Sequence, residues 1–195
     1  MSPLSESDRE AALIDAVRAD PVAEAILLRA PELGLSDWAL CAGAVYQNVW
    51  NALTGRPAGY GIKDYDLAYF DAGDLSWEAE DAVIRRCADV FADLPAPVEI
   101  RNQARVHLWF PERFGRTIEP FTSTEDGIAH YAASAHMAGL RREADGSHTV
   151  LAPRGLSDVF AMRLAPRAPE TDTADYRAKS ERMKLTWPEI ELSWV

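Results

Sequence analysis

Two aspartates, Asp64 and Asp66, head the apolar run Leu67-Ala68-Tyr69-Phe70 in the stretch GIKDYDLAYFD from Gly61 to Asp71. Such a run suits a strand buried at its far end. Strand side chains alternate between faces, so both carboxylates point the same way, roughly 6–7 Å apart along the backbone. Two like charges on one face repel unless a cation lies between them, and Mg²⁺ meets that need by taking a few carboxylates and completing its shell with waters and phosphate oxygens. The same pair also suits a plain solvated strand end, where Asp favours turns and keeps its charge in water. The choice between a metal grip and a strand end rests on what surrounds the pair.

Upstream, Trp38 to Cys41 is a short apolar run broken by Gly43, and AVYQNVWNALTG then places Val45, Val49, Ala52 and Leu53 at helical spacing before Gly55 and Pro57 end it. The order is therefore strand, glycine, helix, loop, Asp-x-Asp strand. A Gly at a strand-to-helix turn lets a phosphate approach the backbone, and the free N–H groups of a helix start attract negative charge, although a lone Gly also serves merely to ease a turn. Downstream, residues 72–94 read as a helix capped by Ser76, with Val83, Cys87, Val90, Phe91 and Leu94 buried and Pro95 and Pro97 as its stop. PVEIRN follows as a strand, with Val98 and Ile100 on one face and Glu99 on the other. Paired beside the Asp-x-Asp strand, Glu99 becomes a third carboxylate facing Asp64 and Asp66; on an edge it is simply solvated.

The flanks frame this centre. Residues 1–34 predict a helical brace, with a capping box of Ser7 and Glu10 before Leu13, Ile14 and Val17, and a restart at Asp20-Pro21 that ends near Gly34. ARVHLWF alternates as a strand would, with Val106, Leu108 and Phe110 on one face, Arg105, His107 and Trp109 on the other, and Pro111 closing it. Arg105 either binds phosphate or is solvated. His107, His130, His136 and His148 lack zinc spacing and read as packed or surface residues. STEDGIAHY predicts a helix capped by Ser123 or Thr124, and residues 137–152 a hairpin with a type I′ turn at Asp145-Gly146. A short helix after Arg154 and Gly155, a linker APRAPETDT and a last helix capped by Asp172 or Thr173 complete the chain. On that helix Lys179 and Arg182 fall three apart on one face, where they reach substrate phosphates or only solvate the surface.

Composition bounds what such a chain can do. At 195 residues with 48% hydrophobic content it suits one domain: the brace, a core over residues 35–114 and a packed extension over 115–195. No apolar run reaches eighteen residues, and MSPLSESDRE lacks the regions of a signal peptide, so a cytoplasmic protein with no membrane partner is expected. Cys41 and Cys87 read as buried thiols. Residues 1–138 carry 11 basic and 22 acidic side chains, and residues 139–195 carry 9 of each. With no basic track, long nucleic acid is a poor partner.

The segments LSDWALCAGAVYQNVWNALTG, IKDYDLAYFD, NQARVHLWFPERFG, STEDGIAHYAASAHMAGLR, APRGLSDV and WPEI together resemble a bacterial nucleotidyltransferase-like family within the superfamily that includes DNA polymerase beta. The resemblance covers about residues 20–190. It implies an α/β (α+β) fold, a small mixed sheet flanked by helices with a C-terminal hairpin and helix extension. It also implies Asp64, Asp66 and Glu99 as catalytic and metal-binding residues with Mg²⁺ (or Mn²⁺), and Gly43 and Ala44 as a phosphate-binding turn. Asn102, Arg105, Lys179 and Arg182 join these as candidate nucleotide contacts. The pattern departs from the superfamily at Ala44, which offers an N–H but no hydroxyl, and in the 19 residues between Ala44 and Asp64.

The expected reaction is transfer of a nucleoside monophosphate from an NTP to a small-molecule or protein acceptor, with release of pyrophosphate. Two rivals stand beside it: a non-catalytic nucleotide-binding or protein-interaction module on the same fold, and a sugar-nucleotide glycosyltransferase, whose Asp-x-Asp looks alike but normally follows a longer nucleotide-binding region than this chain provides.

Overall fold

The computed structural model describes residues 4–195. Helix α1 (Glu6–Arg18) starts at Ser5, whose hydroxyl accepts the Asp8 N–H at 3.1 Å while the Asp8 carboxylate accepts the Ser5 N–H at 3.2 Å. The capping box thus lies two residues upstream of the one expected at Ser7 and Glu10, because Ser5 already satisfies the orphan donors of the first turn. Asp20 caps α2 (Pro21–Arg29), Pro21 occupies the first helical position, and a 3-10 turn over Ala30–Leu33 ends at Gly34 with a left-handed φ of 67°.

The sheet orders its strands β3-β2-β1-β4-β5. Strand β1 (Trp38–Cys41) runs antiparallel to β2 (Tyr65–Tyr69) and to β4 (Gly139–Arg142), β2 runs parallel to β3 (Val98–Asn102), and β4 pairs with β5 (His148–Leu151). Between these strands lie α3 (Gly43–Thr54) and α4 (Trp77–Val90). The period of two sends Leu40, Tyr65, Leu67, Tyr69 and Ile100 to one face, where they share a core with Leu13, Val17, Ile26, Val45, Val49 and Trp50 from the helices. Ala39, Cys41, Ala68 and Leu151 line the other face with Ile128 and Met137. Each large side chain so buried contributes about 1.5–3 kcal/mol, which makes the helix-covered face the main source of stability.

Residues 103–114 do not form the expected strand. They wind through a 3-10 turn (Gln103–Arg105) into helix α5 (Val106–Phe114), which contains Pro111. The alternation of ARVHLWF served no buried face beyond its start: of its apolar positions only Ala104 and Val106 are buried, Leu108 is 51% exposed, and Trp109, Phe110 and Phe114 cluster on one another instead. At Asn102 the side chain accepts the Ala104 N–H at 3.0 Å, which turns the chain out of the sheet.

The β4–β5 hairpin forms as expected, with a different turn. Glu143 N–H donates to the Ser147 carbonyl at 2.8 Å and Gly146 N–H to the Glu143 carbonyl at 3.0 Å. Gly146 takes the left-handed φ of 88° while Asp145 does not, so the loop is a three-residue type with one such glycine and not type I′. Ser123 caps α6 (Thr124–Ile128), α7 spans Ser157–Phe160, and Thr173 caps α8 (Ala174–Thr186). A parallel pair of β6 (Arg163–Leu164) and β7 (Glu191–Leu192), too short to show in the sequence, ties the chain's end to the segment after α7. Among the described residues no helix is long and apolar enough to cross a membrane.

Candidate active site

The register of β2 and β3 builds the site. Asp66 lies opposite Glu99 across the parallel pair, and opposite Cys41 across the antiparallel pair with β1. Cys41 is the last residue of β1, so the turn Ala42-Gly43 into α3 begins beside Asp66. Tyr65, between the two aspartates, points into the helix-covered core, where its hydroxyl donates to Asp20 at 2.6 Å. Asp20 is itself buried and also accepts from Asn48 Nδ2 and from the Val22 N–H, each at 3.0 Å. This anchor fixes the alternation of β2 and so holds Asp66 on the opposite face. The sequence shows Asp20 only as a helix cap; its second duty under β2 arises from contacts 28 and 45 residues apart.

The loop before Asp64 is pinned as well. Gly59 N–H donates to Asn48 Oδ1 at 2.8 Å, and Gly61, with φ 75°, leaves no room for a side chain: a Cβ there would lie 2.8 Å from the Trp187 ring. Trp187, from the segment WPEI, is buried and donates to Asn51 Oδ1 at 2.9 Å. The extra length between Ala44 and Asp64 is therefore a packed connection.

At the start of α3 the left-handed residue is Ala42, with φ 54° and ψ −128°, and not Gly43. A non-glycine residue there stores strain of order 1–3 kcal/mol. At Gly43 a Cβ would come within 3.0 Å of Gln47 Nε2, the mobile end of a side chain that a small shift would clear. No side chain caps the helix, so the first N–H groups, Gly43 and Ala44 among them, have no side-chain acceptor.

Electrostatics set Asp66 apart. Burial, then the charges of Asp64 and Glu99, push its carboxyl up to about 6, against the opposing pull of Lys179 and Arg101. Asp64 and Glu99 are exposed, and Glu99 contacts Arg101 at 3.4 Å. Among the described residues no three His, Cys, Asp or Glu side chains converge closely enough to hold a metal unaided. The donors that are present are hard carboxylate oxygens whose mutual repulsion a cation relieves, and Mg²⁺ draws the remainder of its shell from water and substrate phosphates. The residues fit that ion on this chemistry.

Lys179 lies on α8 and makes no ion pair among the described residues, and its charge acts on both Asp66 and His136. Arg182, one turn further, is exposed. Asn102 and Arg105 are not brought to this centre. They sit at the other end of β3 and are committed to the scaffold: Asn102 Oδ1 accepts the Asp71 and Ala104 N–H groups at 3.1 and 3.0 Å, its Nδ2 donates to the Asp71 carbonyl at 2.8 Å, and Arg105 pairs with the buried Glu80. A buried carboxylate requires a cation, and the sequence did not show that Glu80 would be that carboxylate. Both cysteines are buried; Cys41 Sγ lies 3.2 Å from the Tyr131 hydroxyl, and burial first pushes its thiol up to about 12, which makes it inert as a nucleophile.

Comparison with known proteins bears on the fold and the family. An NMR structure described as revealing a CCA-adding enzyme head domain shares the fold at a TM-score of 0.74 and 23% identity, covering 98% of each chain. A tRNA-processing enzyme in an apo form matches at a TM-score of 0.50 and 14% identity, over 98% of this chain and 45% of that one. In sequence, the chain is 31% identical over 93 residues to protein-L-isoaspartate O-methyltransferase 1 of Anaeromyxobacter sp. (strain Fw109-5) and spans less than half of that relative, 42%. The model of a family described as nucleotidyltransferase matches residues 29–192, and the chain belongs to that family.

Proposed function

We propose that the protein is a metal-dependent nucleotidyltransferase that moves a nucleoside monophosphate from an NTP to a small-molecule or protein hydroxyl. The observation that carries this reading is the register that sets Asp66 beside Glu99, with Asp64 two residues upstream, next to the uncapped start of α3. In the reaction a bond forms between the acceptor oxygen and the α-phosphorus, the bond from that phosphorus to the pyrophosphate oxygen breaks with its electron pair, and the hydroxyl proton passes to solvent. Asp64, Asp66 and Glu99 would hold Mg²⁺ or Mn²⁺. A cation there supplies charge neutralisation of the triphosphate and lowers the pKa of the attacking hydroxyl. The N–H groups of Gly43 and Ala44 steady phosphate oxygens without needing a hydroxyl at position 44.

A second reading takes a polynucleotide as acceptor, because the structural neighbours are described as CCA-adding and tRNA-processing enzymes. The net charge of −11 stands against it, since nonspecific grip on nucleic acid depends on clustered Lys and Arg. Arg101, the basic group nearest the carboxylates on β3, is already engaged with Glu99. The test is a screen of the four NTPs with Mg²⁺ or Mn²⁺ for pyrophosphate release, with tRNA among the acceptors. Metal-dependent release that tRNA does not stimulate supports the first reading; release only with tRNA supports the second; none under any condition leaves the non-catalytic module.

A further inference from the structure

Arg167 is a guanidinium that the fold buries without answering. Its side chain is 19% exposed, its Nε is closed off from water without a hydrogen-bond partner, and the nearest carboxylate among the described residues, Glu170, stands 3.8 Å from Nη2, beyond hydrogen-bond distance. Arginines buried to a similar degree are held: Arg9 and Arg56 pair with Glu6 and Glu189 at 2.9 and 3.0 Å, and Arg105 pairs with Glu80. The backbone fixes Arg167 in place, since its N–H donates to the Ala132 carbonyl at 2.7 Å and Ala133 bridges to Pro166. A buried cation short of partners costs stability, and such an arrangement is tolerated where a ligand completes it. With Nε sealed, the two Nη groups are the edge on which that ligand docks.

Arg167 lines a cavity of about 380 Å³ with Arg116, Glu119, His130 and Glu170. Arg116 makes no ion pair among the described residues and rests over the Phe110 ring at 5.1 Å. Two guanidinium groups suit a ligand with negative charge, and a planar carboxylate matches the paired Nη edge of Arg167. The acidic part of the wall sets the rest of the ligand. Glu119 and Glu170 repel a phosphate dianion and accept from hydroxyls, and His130, whose Nδ1–H donates to the Asp126 carbonyl at 2.8 Å, keeps Nε2 as a further acceptor. Ile118 and Pro120 add an apolar wall for a carbon skeleton. A small polyhydroxylated carboxylate, of the size of a sugar acid, meets all of these conditions. The cavity adjoins the carboxylate centre through one residue: His130 is followed by Tyr131, whose hydroxyl lies 3.2 Å from Cys41 Sγ, and Cys41 is the register partner of Asp66, whose charge reaches Tyr131.

We propose that this cavity seats the carboxylate of a sugar acid, which serves as the nucleotidyl acceptor, an assignment that rests on the nucleotidyltransferase reading above. Arg167 takes the carboxylate through both Nη groups, Arg116 adds a second cation, and Glu119 and Glu170 accept from hydroxyls. One remaining hydroxyl oxygen forms the bond to the α-phosphorus, pyrophosphate leaves with the electron pair of the bond that breaks, and the hydroxyl proton passes to solvent. The product is a nucleoside-monophosphate ester of the sugar acid. A neutral sugar leaves Arg167 unanswered, so the carboxylate is the group that selects.

The Arg167 Nε–H, sheltered from water, gives a side-chain NMR signal that reports on the site. Titration of the full chain with D-glucuronate, D-galacturonate and D-gluconate at constant ionic strength, against D-glucose, acetate and inorganic phosphate, tests the proposal. At least one sugar acid is expected to shift this signal and the amides of residues 130–133 saturably, with affinity about tenfold or more above that of acetate or phosphate, while glucose leaves them unmoved. Arg167→Gln weakens that sugar acid about tenfold or more, read on the amides, at an unchanged melting temperature because the lost charge had no close partner; Glu119→Gln, at an exposed position, weakens it about three- to tenfold. With Mg²⁺-NTP the same sugar acid raises pyrophosphate release by wild type, and Arg167→Gln abolishes the rise. If Mg²⁺-NTP binds while no sugar acid does, while acetate or phosphate binds as tightly, while Arg167→Gln keeps wild-type affinity, or while the bound sugar acid does not raise release, the proposal is overturned and the nucleotidyltransferase reading stands. Sugar-acid binding to a chain that binds no NTP removes that reading and the acceptor role with it.

Discussion

The two ends of the β2–β3 pair carry buried or half-buried carboxylates in opposite states. At the Asn102 end, Glu80 is 4% exposed and fully answered, by Arg105 and by the Asn102 N–H at 2.8 Å. At the Asp66 end, the nearest carboxylates are two more of the same sign, and the pull of Lys179 and Arg101 leaves Asp66 with a raised pKa. One end is a closed network that stabilises the fold, and the other is left short of positive charge. A folded chain tolerates the second arrangement where a ligand supplies what is missing, so the contrast separates scaffold from site along one pair of strands.

The largest expected effect comes from opening the closed end. Arg105→Leu leaves Glu80 buried without its cation and should cost about 3–5 kcal/mol in a urea denaturation series. A loss below 1 kcal/mol would show that the network contributes little and would erase the contrast. Asp20→Ala should follow at about 2–3 kcal/mol, since it removes a cap and strands the Tyr65 hydroxyl and one of the two Asn48 amide hydrogens, the other being held by the Ala44 carbonyl.

The open end should respond with the opposite sign. Asp66→Asn removes a repelled charge, so at neutral pH stability should hold or rise by about 1 kcal/mol, while metal-dependent nucleotide binding is lost. The pH dependence follows from the same carboxyl. Its folded pKa of about 6 exceeds the ordinary 3.8, so between these values the folded chain holds a proton that the unfolded chain has released. This group's contribution to stability is present below that window and is lost as pH rises through it. Over the same window the buried His136, pushed down to about 3, acts with the opposite sign, so Asp66→Asn should make stability rise more steeply with pH than in wild type; a pH dependence unchanged by the substitution would mean that Asp66 does not contribute to it. The smallest change is expected at Ala42→Gly, which relieves the left-handed φ of 54° and should raise stability by about 1 kcal/mol in thermal melts.

Much of this arrangement was legible because it is local. The strand that carries Asp66, the glycine-containing turn into α3, Ser76 as cap and Glu99 on the outer face of its strand all follow from periodicity and end signals within a few residues, although the strand begins at Tyr65 and leaves Asp64 just before it. What stayed hidden depends on distant contacts. Arg105 looked like a free cation because Glu80 lies 25 residues away in sequence, and ARVHLWF looked like a strand because alternation does not reveal whether a core waits on either side. His136 offered no spacing to read, and its place against Tyr46 and Tyr176 exists only once α3 and α8 are packed.

The central claim is that the open end is completed by a metal-bound nucleotide. The direct measurement is the melting temperature of wild type and Asp66→Asn with each NTP, in Mg²⁺ and in EDTA. A ligand that binds only the folded state at a hundred times its Kd stabilises by about 2.7 kcal/mol, a rise of roughly 5–11 °C for a chain of this size. The expected result is a rise in wild type with Mg²⁺ that disappears in EDTA and in Asp66→Asn. Equal rises with and without the metal, or a rise retained by Asp66→Asn, would contradict it.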